Sequence, residues 1–381
     1  MNNFKLFTLI ILGATTLSSC GSGTKPSDET IECDRLTINL DPKFYDEVIN
    51  NSPRPKTVVL KEDDNTLFAE ARKVMLRNDK IFVLDPIDGR TAVSFTMDGK
   101  PYAHYGRTGN GPGEYIRPWD MDVDSTGVYI LDSNHKKVLK YSHKGDFIKD
   151  FDIPFFSFAF ALLDGGRFLF NLPEDGTAAP QLCVTDSTVT DLKYHLNYKD
   201  GQEGGWSTDN AINKTPWLKT FYKAPADTIF ILNRDGEPSG GIILDFNGKD
   251  FSEEAKLNFE SYSDRDRNNG AIMLLDNPFP LPNGLWVGAV EDKDKRYSII
   301  FDPVKNLCGG RDYGRNSTRP NSVFDMFWLC GSDEDGNPIS LLENFALEYC
   351  NDIDSLDEKA VEALRNGNRV LVFYNLKHPG E

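Results

Sequence analysis

Histidine and cysteine are scarce in this chain, with five and six copies among 381 residues. His104, His135, His143, His195 and His378 form neither HxH nor HExxH, and no cysteines form CxxC or a Cys/His knuckle, which excludes zinc-finger and zincin designs. There is no GxSxG elbow and no nominable Ser/His/Asp set, so no nucleophilic hydrolase is written in the sequence. Beyond residue 19 no apolar run reaches the ~18 residues that a membrane-crossing helix requires. Positive charge is in deficit too, 42 Lys and Arg against 59 Asp and Glu for a net −17. Nucleic acid is thereby excluded as a partner, because phosphate binding needs a basic face. Cysteines 33, 183, 308, 330 and 350 are odd in number, so they cannot all pair internally, and buried free thiols are expected. A Cys330 to Cys350 bridge is chemically allowed in an oxidising compartment.

What is present begins with a leader. Residues 1–19 carry Lys5 and then the apolar stretch Leu6 to Ala14, the pattern of a signal peptide. The leader ends in Leu17-Ser18-Ser19-Cys20-Gly21, which resembles the lipobox of bacterial lipoproteins. That resemblance implies lipidation of Cys20, which becomes the first residue of the mature chain. Several buried acyl chains at about 0.8 kcal/mol per methylene make such an anchor effectively permanent. Residues 20–30 then have no apolar side chain to pack and read as a flexible tether. Gly21 stands where inner-membrane lipoproteins commonly carry aspartate, so an outer-membrane lipoprotein is expected, on an undetermined face of that membrane. The membrane is touched through the lipid alone.

Residues 31–381 repeat themselves. Lys80-Ile81-Phe82-Val83-Leu84-Asp85, followed by Ala92 to Phe95 and the turn Met97 to Lys100, recurs as Gly127 to Asp132, Val138 to Tyr141 and His143 to Asp146, an offset of roughly 47 residues. Each unit is an apolar strand, a polar turn opening on aspartate, an alternating second strand and a glycine turn. Weaker copies start at Arg167, Asp227 and Leu285, and a sixth combines Phe324 to Cys330 with Arg369 to Tyr374. The spacing predicts an all-β, six-bladed β-propeller, one domain over residues 31–381. One short helix is expected at about Ser355 to Arg365, from Leu356, Ala360 and Leu364 at i, i+4, i+8. The strand Arg35 to Leu40 has no blade of its own, and pairing with the C-terminal strand would close the ring and remove an exposed edge.

Between the two clearest repeats lies Tyr105-Gly106-Arg107-Thr108-Gly109-Asn110-Gly111-Pro112-Gly113-Glu114-Tyr115-Ile116-Arg117-Pro118-Trp119-Asp120-Met121-Asp122. This segment resembles the interblade signature of NHL-type and TolB-like propellers. With the lipobox, Thr57 to Leu60 and the closing Asn368 to Lys377, the chain resembles the six-bladed propeller lipoproteins of Bacteroidota over essentially its mature length. The resemblance implies a fold and little function. Gly109, Gly111, Pro112, Gly113 and Glu114 are expected to form a structural turn, with Glu114 accepting hydrogen bonds from amides the turn leaves open. A phosphate-binding reading of these glycines fails because an Asp-rich strand follows instead of a helix.

The ligand candidates are Arg117 and Trp119 after the signature turn, and Trp206 and Trp217 in a loop-rich insertion; Trp286 reads as core. No catalytic residue and no cofactor is identified. Propeller lyases and lactonases hold an axial metal with ligands far apart in sequence, so axial calcium or zinc, with Asp120, Asp122 and His104 as contributors, is the alternative. The function expected is a lipid-anchored envelope module that binds or scaffolds a protein or glycan partner; the alternative is a metal-dependent hydrolase or lyase in the axial funnel.

Overall fold

The computed structural model describes residues 31–203, 210–314 and 321–380; Cys20, the leader and Trp206 lie outside them. Nearly every regular segment is a strand paired antiparallel to its sequence neighbour. The first group comprises Lys73–Arg77, Lys80–Asp85, Thr91–Thr96 and Pro101–His104. Asn78 and Asp79, with φ of 51° and 55°, make the two-residue turn that matches strand twist and fixes this register. The second group runs Asp120–Asp124, Gly127–Asp132, Lys137–Tyr141 and Phe147–Asp152. The third covers Ala159–Leu163 to Leu192–Asn197, the fourth Ile212–Lys214 to Pro238–Asp245, and the fifth Met273–Leu274 to Leu307–Asp312.

Strand alternation explains the stacking of these groups. Along Lys80–Asp85, Phe82 and Leu84 face Met121, Val123, Val128 and Ile130 of the second group. The intervening Ile81 and Val83 face Cys330, Ile339, Leu371 and Phe373 near the C-terminus. In Gly127–Asp132 the alternation repeats, Val128 and Ile130 toward the first group and Tyr129 and Leu131 toward Phe160, Phe168 and Phe170 of the third. Both faces of each sheet are therefore apolar, which is why these strands read as continuous hydrophobic runs. A fully buried Val or Leu contributes about 1.5–3 kcal/mol, so these inter-sheet layers carry most of the stabilisation.

The chain ends pair differently from the expectation. Cys33–Thr37 lies parallel to Gly241–Asp245, extending the fourth group to five strands, with Leu36 packed among Ile242 and Leu244. It is Lys56–Val59 that pairs antiparallel with the closing strand Val370–Phe373. The reason is α1 (Pro42–Asn51), started by Asp41, whose carboxylate accepts the Lys43 N–H, and by proline in its first turn. Tyr45 and Val48 of α1 are buried against Leu285, Val287 and Ile300 of the fifth group, leaving the chain to reach the C-terminal strand only after the helix. The last group is Leu329–Ser332, Pro338–Leu342, Val370–Phe373 and Lys56–Val59; the expected strand at Phe324 to Cys330 is mostly a 3-10 turn, Met326–Trp328. Its leading strand contacts the first group's in parallel at Gly331 with Val74 and Ser332 with Met75, joining the two into an eight-stranded sheet.

Helices are also more numerous than expected: α2 (Glu253–Leu257), α3 (Phe259–Asn268) and α4 (Ala346–Tyr349) join α1 and the anticipated α5 (Glu358–Arg365). α3 escapes sequence patterning because half its residues are charged; caps at Ser252 and Asn258 and three buried residues, Phe259, Ser263 and Asp266, hold that segment. No helix among the described residues is long and apolar enough to cross a membrane.

Candidate functional site

The segment between the two clear repeats folds as a compact turn. Glu114 Oε2 accepts the Gly111 N–H at 2.8 Å, Oε1 takes Arg107 Nε at 2.6 Å, and the Glu114 N–H donates to the Gly111 carbonyl at 3.0 Å. The Gly111 amide, followed by Arg107, holds the Glu114 carboxyl below its ordinary range. Gly113 has φ of +72° and lies against the Phe147 ring, where a Cβ would collide.

The turn delivers Ile116 to Trp119 onto the next one. Fully buried Asp132 accepts the Ile116 N–H on Oδ2 at 2.8 Å and the Asn134 N–H on Oδ1 at 3.0 Å. His135 Nδ1 lies 2.8 Å from the same Oδ2, and its Nε2 lies 3.0 Å from Asn110 Oδ1. On this support the Arg117 guanidinium sits 4.7 Å over the Trp119 ring, and Trp119 meets Phe158 edge-on at 5.0 Å. Trp119 Nε1 donates to Asn134 Oδ1 at 3.2 Å. Beside them Lys136 Nζ lies 4.5 Å from the Phe156 ring centre. Phe156 and Phe158 are 50% and 46% exposed, large apolar surfaces held out to solvent rather than buried. Arg117 and Trp119 are thus brought together and Phe158 joins them, while Lys136 and Phe156 form a separate cation–aromatic pair on the adjoining turns. The sequence signal for these last three is Phe155-Phe156-Ser157-Phe158 immediately before a strand.

Trp217 stands elsewhere. It is 37% exposed, packs against Gly336 and Pro282, and follows the C-terminal end of the leading strand Ile212–Lys214, whereas Trp119 precedes the N-terminal end of Asp120–Asp124. Trp286 is core, stacked on Phe301 at 5.8 Å and 5% exposed.

The leading strands converge on a buried ion cluster that sequence reading missed. Asp120 takes Lys73 Nζ on Oδ1 at 2.7 Å and Lys214 Nζ on Oδ2 at 2.8 Å. Asp120 Oδ2 also accepts the Phe160 N–H at 2.8 Å, and Asp122 Oδ2 the Leu162 N–H at 2.7 Å. Two carboxylates at i and i+2 thereby tie the second group's leading strand to the third's. Burial pushes the Asp120 carboxyl up, but Lys214 and Lys73 outweigh it and hold it below its usual range. Burial, with Lys73 adding to it against the pull of Asp120, lowers Lys214 to about 8. With two ammonium groups around one carboxylate, the place where an axial metal was considered repels cations.

His104 does not join Asp120 and Asp122. It lies on the outermost strand of the first group, its Nε2 3.0 Å from Thr91 Oγ1. Among the described residues no cluster of three His, Cys, Asp or Glu side chains could hold a metal ion. No disulfide joins the described cysteines, and the Cys330 to Cys350 bridge is not formed.

Two solved structures are similar to this chain. A protein of Bacteroides fragilis NCTC 9343 described as exported aligns with a TM-score of 0.70 and 18% identity, over 91% of this chain and 99% of its own. A member of the DUF4221 family from Bacteroides vulgatus ATCC 8482 aligns with a TM-score of 0.53 and 10% identity, over 85% and 97%. At such identities the fold is what is shared: mostly β, propeller-like, with few helices. No curated protein matches the chain in sequence. The profile of one family matches residues 55–374, so the chain belongs to the family described as Domain of unknown function (DUF4934).

Proposed function

We propose that this chain is an outer-membrane lipoprotein, anchored through Cys20, whose six-bladed propeller binds or scaffolds an envelope protein or glycan. Support for six blades comes from the six inter-sheet clusters, each packing one strand group on the next and the last on the first. The binding reading is carried by one observation, the half-buried Arg117 and Trp119 pair capped by exposed Phe158, with the Lys136 and Phe156 pair on the adjoining turns. Rigid aromatic faces flanked by cations suit sugar rings and peptide side chains, and they lose little conformational entropy when covered. Mutual contacts and the Asp132 turn hold the array in place, so its residues are ordered before any partner arrives. The metal-dependent alternative gains no donor set from the described residues, and the lysines around Asp120 oppose it.

A photocrosslinking residue at position 156, in intact cells, tests this reading. The expected result is a discrete crosslinked species that disappears in Trp119→Ala/Phe158→Ala while the variant stays folded and membrane-bound. An unchanged crosslinking pattern in that variant would remove the rim from the function. Cys20→Ser should release the folded chain into the soluble envelope fraction, and retention in the membrane would refute the anchor.

A further inference from the structure

The leading strands that begin at the aromatic rim end roughly 15 Å away, at about 3.3 Å per residue, on a different surface. There a cavity of about 710 Å³ opens among the turns at 125–126, 164–166, 187–188 and 214–219. Although the chain carries −17, five basic side chains line this cavity against three carboxylates. Two of those carboxylates serve the backbone. Asp122 gives one oxygen to the Val123 amide and the other to Leu162, and Asp124 Oδ1 accepts from the Thr126 and Gly127 amides.

The cations are less well matched. Arg77 donates Nη1 to the Leu76 carbonyl at 2.7 Å and Nη2 to the Lys214 carbonyl at 2.6 Å, and among the described residues no carboxylate pairs with it. Burial lowers its pKa against the opposing charges of Asp122, Glu334 and Asp333. Lys149 Nζ lies 4.3 Å over the Phe151 ring, and Lys219 has no ion pair or side-chain hydrogen bond among the described residues. Arg77 and Lys214 also line the narrow void beside Lys73, so the positive potential continues inward from the cavity. Ser125, Ser187 and Thr188 add hydroxyl groups to the wall.

We propose that this cavity is a binding site for a small oxyanion ligand bearing carboxylate or phosphate groups. Arg77 is its central donor, since a planar guanidinium matches two oxygens of one oxyanion, and Lys149 and Lys219 guide the ligand at the mouth. A cavity of this volume accommodates a ligand of one or two sugar rings. The site is separate from the rim on Trp119, so either can fail without the other.

Calorimetry and thermal melting of the full chain in mild detergent test it, with inorganic phosphate, citrate and glucuronate as probes, and glucose and matched sodium chloride as controls. At least one oxyanion should raise the melting temperature saturably and bind with unit stoichiometry, while glucose and chloride do neither. Binding by phosphate alone would assign a phosphorylated ligand; binding by citrate or glucuronate alone, a carboxylated one. Lys149→Glu/Lys219→Glu, at an exposed and a half-buried position on the cavity mouth, should weaken binding at least about tenfold per lost contact, with the ligand-free melting temperature within about 4 °C of the parent. Arg77→Gln should abolish binding. No stabilisation by any of the three oxyanions, or undiminished binding by the double variant, would overturn the proposal.

Discussion

Lys214 donates to Asp120 Oδ2 at 2.8 Å across 94 residues of sequence, while Lys73 takes the other oxygen at 2.7 Å. One carboxylate thus ties the leading strands of the first and fourth groups to that of the second, and through the Phe160 amide it reaches the third. A buried ion cluster is costly to disturb on either side.

Asp120→Asn strands two buried ammonium groups and should cost about 3–5 kcal/mol in urea unfolding. Asp120→Asn/Lys214→Met should recover part of that loss by removing one of the uncompensated charges. Strictly additive losses in the double variant would show that the ion cluster is not what the substitutions disturb.

Lys214 also sets a pH dependence. Its pKa in the fold is about 8, below the ~10.4 of an unfolded lysine. Between those values the unfolded chain binds more protons than the folded one, so the lysine's contribution to stability rises with pH, by at most about 1.4 kcal/mol per unit. The stability difference between the parent and Lys214→Gln should therefore grow from pH 8 to 10. A difference that shrinks over that range would mean the Asp120 ion pair outweighs burial and holds the ammonium form.

Asp85 and Asp132 occupy the same position in successive repeats and do the same work. Asp85 accepts the amides of Ala69, Glu70, Ile87, Asp88 and Gly89, as Asp132 accepts those of Ile116, Asn134 and His135. Alanine at either should cost on the order of 3 kcal/mol by leaving buried donors unpaired. Only Asp132→Ala should also quench or shift Trp119 fluorescence, since only Asp132 holds the rim.

Gly331 lies directly against the Val74 carbonyl, so a Cβ there overlaps backbone that cannot swing aside. Gly331→Ala should lower stability by about 1–3 kcal/mol, read as a lower urea midpoint. Gly367→Ala is a poor control because of its positive φ, whereas Gly240→Ala, whose Cβ would meet only the Glu32 carbonyl at an ordinary 3.7 Å, should cost less.

Burial pushes Cys183, Cys308, Cys330 and Cys350 up to about 12. In the native chain at pH 8 these thiols should resist an aromatic disulfide reagent for hours and all react once the chain is unfolded. Fast native labelling of any of the four would contradict their burial.

Some of this was legible in the sequence. The strands at Lys80–Asp85 and Gly127–Asp132, their Asp-led turns and the helix at Glu358–Arg365 follow from local periodicity. Arg117 and Trp119 were legible as candidates because the glycine turn before them is local too. What was not legible depends on distant residues. Cys33–Thr37 has ordinary strand composition, and nothing within it chooses between Gly241–Asp245 and Val370–Phe373 as partner. Helix α3 is too charged for its apolar positions to stand out.

The sequence by itself determined the strands of the clear repeats, such as Lys80–Asp85 and Gly127–Asp132, where they turn and which of their faces are apolar, because side-chain alternation and turn chemistry act over a few residues. Only the tertiary structure decided that Asp120 would meet Lys73 and Lys214, that Phe158 would meet Trp119, and that Arg77 would line a cavity with no carboxylate pairing it among the described residues. Those relationships depend on which strand ends the packed sheets bring side by side, and that is fixed by burying both faces of every sheet at once.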